Sequence, residues 1–450
     1  AKPTKMEGRL RRLLTEDETP EDLDSLAQTL DAADSLASLR SEFWFPEKAT
    51  YLCGNSLGLQ PKKIRGAVMA DLDRWATFGV EGHFVEAGPS VPWWTIEDIA
   101  KEDLALVVGA KGDEVAVMNS LTVNLHLLLA AFYAPTKERF EIVIEGHAFP
   151  SDDYAVQSAA QNRGLDATKV VVRLEATDAD ELAEKIRQRS QVALVLIAPL
   201  QYYTGTFYDV KTIVKAARDV GALVGLDCAH AVGNVTLNLH DDDVDFACWC
   251  SYKYLNAGPG AIAGAFVHEK WALKFPKEPL RGWWGNRRDT RFQMEPTFDP
   301  LPGVAGLQLS NPPTLPVLAL KEALSLFATA TMGKLRAKSV KLTAYLELLL
   351  RDALGESFTM LTPTDPAKRG AQLSLLFQTP TFPPVDAIFN GLRNRDVFVD
   401  VRRPNVIRVA PAPLYNSFDD VRRFVAHLLA SIDEARSSPP AAETVHPTRS

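Results

Sequence analysis

Seven short apolar runs, rich in β-branched residues, recur through the middle of the chain and alternate with amphipathic segments. They cover 114–118, 141–145, 169–174, 192–198, 222–226, 244–250 and 261–267. Their near-continuous apolarity predicts strands buried on both faces. Between two of them the spacing predicts a helix. Asp209 can cap it, Val210, Ile213, Val214, Ala217 and Val220 repeat at helical intervals, and Gly221 can end it. Strand–helix–strand units of this kind imply an α/β fold, a mainly parallel sheet flanked by helices with right-handed crossovers.

At 450 residues and 46 % hydrophobic, the chain can bury a large core and a smaller second one. We expect an N-terminal helical segment over 1–48 joining the small domain, with Thr19 as its cap and Pro20 opening the helix. A large domain over 49–315 follows. A small α+β domain over 316–436 would hold helices at 317–329 and 334–354 and strands near 372–378, 397–401 and 406–409. The tail 437–450, rich in Ser, Pro and Thr, reads as disordered.

The net charge of −8 disfavours a nucleic-acid binder or a protein docked on anionic membranes. The longest apolar run, 192–200, is far short of a membrane span, and the N-terminal residues carry no apolar stretch of signal-peptide length. Four cysteines, Cys53, Cys228, Cys248 and Cys250, make no disulfide framework in a chain this long. A cytoplasmic setting is the expectation.

Ligands of parallel α/β sheets sit beyond the carboxyl ends of the strands. There, Asp227 ends one run and His230 follows, while Ser251-Tyr252-Lys253 ends another. An acid and a lysine on one sheet edge suit pyridoxal 5′-phosphate, the lysine forming an imine and the carboxylate keeping the pyridine nitrogen protonated. A helix opening at Leu121-Thr122 offers N–H groups and a hydroxyl to a phosphate. Phe149-Pro150-Ser151-Asp152 adds an aromatic face and polar groups. Taken singly, each has an ordinary structural role, the lysine as a surface residue, the acid as a turn residue, the histidine as packing. Together they leave the cofactor reading and the structural one about level.

Other classes fit less well. Gly258-Pro259-Gly260, with Gly264 beyond, precedes a predicted strand instead of opening a helix, so a nicotinamide-binding turn fails on context. His240 with Asp241-Asp242-Asp243 reads as an acidic solvated turn, and no metal is expected. No cysteine follows Cys250, which removes the nucleophile a cysteine desulfurase would need.

The run from Gly225 to Trp271 closely resembles the kynureninase family. It contains Gly225-Leu226-Asp227-Cys228-Ala229-His230 and Trp249-Cys250-Ser251-Tyr252-Lys253-Tyr254-Leu255-Asn256. Gly54-Asn55-Ser56-Leu57-Gly58, Phe149-Pro150-Ser151-Asp152, Tyr203-Thr204-Gly205, Leu309-Ser310-Asn311-Pro312-Pro313 and Ile407-Arg408-Val409 extend the resemblance over about 45–430. It implies a fold-type I pyridoxal-phosphate homodimer that cleaves L-kynurenine or 3-hydroxy-L-kynurenine to anthranilate or 3-hydroxyanthranilate plus L-alanine. That reaction belongs to tryptophan catabolism and the route to NAD. An aminotransferase of similar substrates is the alternative.

By the same resemblance, Lys253 is the imine-forming lysine, Asp227 the pyridinium partner and Tyr252 a proton donor or phosphate ligand. Leu121, Thr122, Phe149, Pro150, Ser151, Asp152 and His230 would border the cofactor, with Trp283 and Asn311 reaching it from the other subunit. Arg408 would hold the substrate α-carboxylate. Ser56, His83, Ser310 and Asn311 would border the aryl end, where His83 and Asn311 could favour the 3-hydroxy substrate. One departure is visible: Ala198 stands where the family often has a small hydroxyl residue.

Overall fold

The predicted strands form one seven-stranded sheet in the computed structural model, which describes residues 23–86 and 91–437, together with Gly8. In chain order they are β1 (Val115–Val117), β2 (Glu141–Glu145), β3 (Val171–Leu174), β4 (Val192–Ile197), β5 (Leu223–Asp227), β6 (Phe246–Trp249) and β7 (Gly264–Val267). Across the sheet the order is β1-β7-β6-β5-β4-β2-β3. Neighbours from β6 to β3 run parallel, while β7 is antiparallel to both β6 and β1.

Alternate residues of each strand feed opposite cores, which is why the runs carry almost no polar positions. Val115, Val117, Val143, Val195, Ile197, Val224, Leu226 and Trp249 face one apolar cluster. Ala116, Ile142, Ile144, Leu194, Leu196, Phe246 and Cys248 face another. Gly225 is required between them, because a Cβ there would meet the Phe246 ring at 2.2 Å.

The helix between β4 and β5 spans Val210–Asp219, and Asp209 caps it by accepting the Thr212 N–H at 2.9 Å. Gly221 follows with a positive φ of 71°, as a chain reversal at a helix end requires.

Beyond the large sheet, helices Thr314–Ala330 and Met332–Leu354 lead to a second sheet. Its strands are β8 (Thr359–Met360), β9 (Leu373–Leu376), β10 (Asp400–Arg402) and β11 (Val406–Val409), in the order β8-β9-β11-β10. Helices Leu23–Ala32, Val385–Arg393 and Phe418–Ser437 pack with it around a separate apolar cluster. The strand expected over 397–401 is split in two. Val397–Phe398 pairs in parallel with Thr50–Tyr51, and only Asp400–Arg402 joins the small sheet. One short extended stretch thus serves two sheets, a division that patterning does not encode. The cap expected at Thr19-Pro20 and all but the first residue of the tail lie outside the described residues. No single helix among the described residues is long and apolar enough to cross a membrane.

Candidate active site

Strands β5 and β6 run parallel with Asp227 opposite Cys248, so the chain leaves both at the same sheet edge. That register brings Asp227 and Lys253 to one cavity of about 320 Å³, a size suited to a small ligand. Asn55, Ser56, Leu121, Thr122, Phe149, Ser151, Asp152, His230, Tyr252, Arg402 and Arg408 also line it.

The loop carrying Lys253 is held from behind. The Gly58 N–H donates to the Tyr252 carbonyl at 2.8 Å. A Cβ on Gly58 would lie 2.4 Å from the Lys253 carbonyl oxygen, so only glycine allows this approach.

At one end of the cavity β1 gives way to the helix Leu121–Phe132. Ser120 occupies its N-cap position without a side-chain cap, leaving first-turn N–H groups aimed outward. Thr122 Oγ1 and Ser151 Oγ lie 2.7 Å apart beside it. Two hydroxyls and an uncapped helix start form a cradle for a phosphate. Pro150 opens the adjacent helix Pro150–Gln161 and shapes the turn from Phe149, without lining the cavity itself.

The floor is acidic and buried. Asp227 Oδ1 accepts the Ala229 N–H at 2.7 Å. Burial raises its carboxyl above the usual range and raises Asp152, beside it, further still, with the Asp227 charge adding to the effect. Asp152 Oδ1 is buried without a hydrogen-bond partner among the described residues. Glu145, at the end of β2, accepts the Ala198 N–H at 3.2 Å, and burial pushes it up to about 8. Its Oε1 is also buried and unpartnered among the described residues. Ala198 offers no hydroxyl to that oxygen, so the departure in sequence has a structural counterpart. Burial, helped by the positive charge of Lys253, drives His230 well below its ordinary range, which keeps the imidazole neutral. Burial also raises the Tyr252 hydroxyl. Buried carboxyl oxygens that lack a partner among the described residues call for a cationic N–H to hold a carboxylate there, and a protonated pyridine ring supplies one. Acid, lysine, neutral imidazole and anion cradle therefore fit pyridoxal 5′-phosphate.

At the other end lies a guanidinium pair. Arg408, only 1 % exposed, donates from Nε to Asp400 Oδ1 at 3.0 Å and from Nη1 to the Tyr202 carbonyl at 2.7 Å. Arg402 approaches the same Asp400 at 3.2 Å and lies over the Tyr202 ring, 5.9 Å from its centroid. Tyr202 in turn meets Phe149 edge-on at 5.3 Å. Arg402 and Tyr202 were not expected from sequence. The available signal was the alternation Asp400-Val401-Arg402 on a strand that faces Arg408.

His83, Trp283, Ser310 and Asn311 do not line the cavity of their own chain. His83 packs edge-on against Trp93 at 5.3 Å. Trp283, 46 % exposed, meets Phe292, which also touches Phe84 and Trp94. Ser310 and Asn311 are exposed.

The profile of the kynureninase C-terminal domain matches residues 335–428, and that of the class-V aminotransferases matches 95–379. A kynureninase of Monosiga brevicollis is 46 % identical, covering 92 % of this chain and 97 % of its own. One of Myxococcus xanthus is 48 % identical, covering 91 % and 97 %. Among solved structures, a cysteine desulfurase of Thermococcus onnurineus superposes with a TM-score of 0.70 at 17 % identity, over 88 % of this chain and 98 % of its own. A C-DES variant with glycine covalently linked to its PLP cofactor gives 0.73 at 17 %, over 86 % and 98 %. Identities this low speak for the fold alone, which is the fold-type I architecture of pyridoxal-phosphate enzymes. The identity shared with the curated relatives along nearly the whole length carries more: this chain belongs to the kynureninase family.

Proposed function

We infer that the enzyme uses pyridoxal 5′-phosphate to hydrolyse L-kynurenine and 3-hydroxy-L-kynurenine. Water adds across the Cβ–Cγ bond, giving anthranilate or 3-hydroxyanthranilate plus L-alanine, a step of tryptophan catabolism that feeds NAD synthesis. The observation that carries this reading is a single cavity holding Lys253 and Asp227 near one end and Arg408 at the other.

Bound there, the cofactor supplies an electron sink for charge developing at the substrate Cα. Leu121, Thr122 and Ser151 would hold its phosphate, Asp227 with Asp152 nearby would take the ring N–H, and neutral His230 and Phe149 would border the ring. Arg408 grips the substrate α-carboxylate with the donors that Asp400 leaves free. The Lys253 amine takes the Cα proton and can return a proton to the alanine carbon. The Tyr252 hydroxyl, kept protonated by burial, is placed to donate a proton or to hold the phosphate. No cysteine follows Cys250, so the desulfurase chemistry named for the structural neighbours has no nucleophile here.

The working unit in this reading is a homodimer with shared sites. The exposed aromatic group around Trp283, together with Ser310, Asn311 and His83, would complete the partner's cavity at its phosphate and aryl ends, Ser56 bordering the aryl end from within the chain. A large unit over 49–315 and a small one over 316–436 belong to the same proposal, as does a cytoplasmic location, which the four free cysteines support. Mixing Lys253→Ala with Asn311→Ala chains tests the sharing. Sites completed in trans regain about a quarter of full activity, since half of the sites in half of the dimers carry neither change. Sites completed within one chain regain none.

A further inference from the structure

We propose that Glu114, His240 and His268 form a binding site for a first-row divalent metal ion, zinc foremost, at the sheet edge opposite the cofactor cavity. Three separate segments deliver these side chains. Glu114 immediately precedes β1, and His268 immediately follows β7. Because β7 runs antiparallel to β1, with Phe266 opposite Val115, the two ends meet. His240 lies on the turn before β6, where its N–H donates to the Gly109 carbonyl at 3.0 Å.

The two imidazoles stack with centroids 4.8 Å apart and planes inclined by 17°. One nitrogen from each ring and one oxygen of Glu114 lie within 4.8 Å of one another. Glu114 Oε1 is 2.8 Å from His240 Nδ1 and 3.8 Å from His268 Nδ1. Tetrahedral zinc, with bonds of about 2.0–2.2 Å, spaces its donors about 3.3–3.5 Å apart. The observed separations bracket that value, and one imidazole must turn out of the stack for both lone pairs to reach a shared ion.

The surroundings already order the carboxylate. Glu114 is 1 % exposed, its Oε1 accepts the Glu269 N–H at 2.8 Å and its Oε2 accepts the Lys111 N–H at 3.0 Å. His268 Nδ1 accepts the Lys270 N–H at 3.2 Å, a bond that ligation through this nitrogen would replace, and Nε2 lies 3.9 Å from Asp243 Oδ1. The neighbouring acids Asp243 and Asp245 are themselves held by Arg218 and Lys270. Of the acidic run after His240, Asp243 is thus ion-paired, and the histidine itself points inward to Glu114. Two imidazole nitrogens and one carboxylate favour zinc, copper or nickel over calcium or magnesium. At this edge the ion would clamp the ends of β1 and β7 and the turn before β6, adding stability without entering the reaction.

The test uses the cofactor-loaded enzyme, stripped with EDTA and titrated with zinc sulfate by calorimetry. The expected result is one equivalent bound per chain, a melting temperature raised by a few degrees and unchanged turnover. His240→Gln and His268→Gln should each weaken binding about tenfold or more. Anomalous diffraction at the zinc edge, on wild-type crystals soaked in zinc, avoids dependence on variant folding. A peak among Glu114, His240 and His268 is expected. Absence of that peak, or zinc binding that both variants retain in full, overturns the proposal.

Discussion

Asp400 and Arg408 face each other across the antiparallel pair β10–β11, and the carboxylate takes two guanidinium donors, Nε at 3.0 Å and Nη2 at 2.8 Å. This fixes the plane of Arg408 before any substrate arrives. Asp400→Asn keeps one acceptor and loses the charge, so the guanidinium turns more freely. KM for L-kynurenine should rise about tenfold, with a smaller change in kcat. Arg408→Lys removes the planar fork and should lower kcat/KM about 10²-fold. Steady-state kinetics separates the two, and an Asp400→Asn enzyme with unchanged KM contradicts the role.

Gly58 sets the position of Lys253 through backbone contact alone. Gly58→Ala forces the lysine loop back by the overlap of a Cβ with a carbonyl oxygen 2.4 Å away. Misplacement on that scale should lower kcat by about 10²-fold while the far-ultraviolet circular dichroism stays native. Cofactor affinity, measured by equilibrium dialysis, should fall in parallel.

Glu145 makes the cofactor-free protein lose stability as pH rises from the acid range towards 8. Its folded value, raised to about 8, exceeds the usual carboxyl value of 4.5. The stability from keeping the acid protonated is therefore complete below pH 4.5 and lost progressively as pH rises to 8. The slope is at most about 1.4 kcal/mol per pH unit. Glu145→Gln should flatten that part of the profile in urea melts of the apoenzyme. A slope equal to wild type would show that Glu145 ionises without penalty. Ala198→Ser, which places a hydroxyl next to the same carboxyl, should stabilise the protein at pH 8.

Much of this was readable from the chain, for a physical reason. Strands buried on both faces must be apolar throughout, so all seven runs of the large sheet stand out. Asp227 and Lys253 follow because a parallel register sends both strand ends to one edge. The antiparallel sense of β7 was not legible, since an apolar strand reads the same in either direction. Nor was the division of 397–402 between two sheets, where side chains alternate identically in each. Arg402 reaches the cavity only through the packing of the small sheet against the loop that carries Tyr202. His83, Trp283 and Asn311 are legible from family motifs, yet they do not line the cavity of their own chain.

In the proposed mechanism Lys253 joins cofactor retention to turnover. Lys253→Ala should lose turnover by about 10³-fold or more, together with the visible absorption of the bound cofactor. Lys253→Arg should do the same, because a guanidinium forms no imine. An active Lys253→Ala enzyme removes the lysine from the mechanism.

The central claim is hydrolytic cleavage of a kynurenine, and one incubation tests it most directly. Purified enzyme loaded with pyridoxal 5′-phosphate is given 3-hydroxy-L-kynurenine and no keto acid, and the products are quantified by chromatography. Equal amounts of 3-hydroxyanthranilate and L-alanine are predicted. Substrate left intact until a keto acid is added, then consumed by amino-group transfer, would contradict the account and make the protein an aminotransferase.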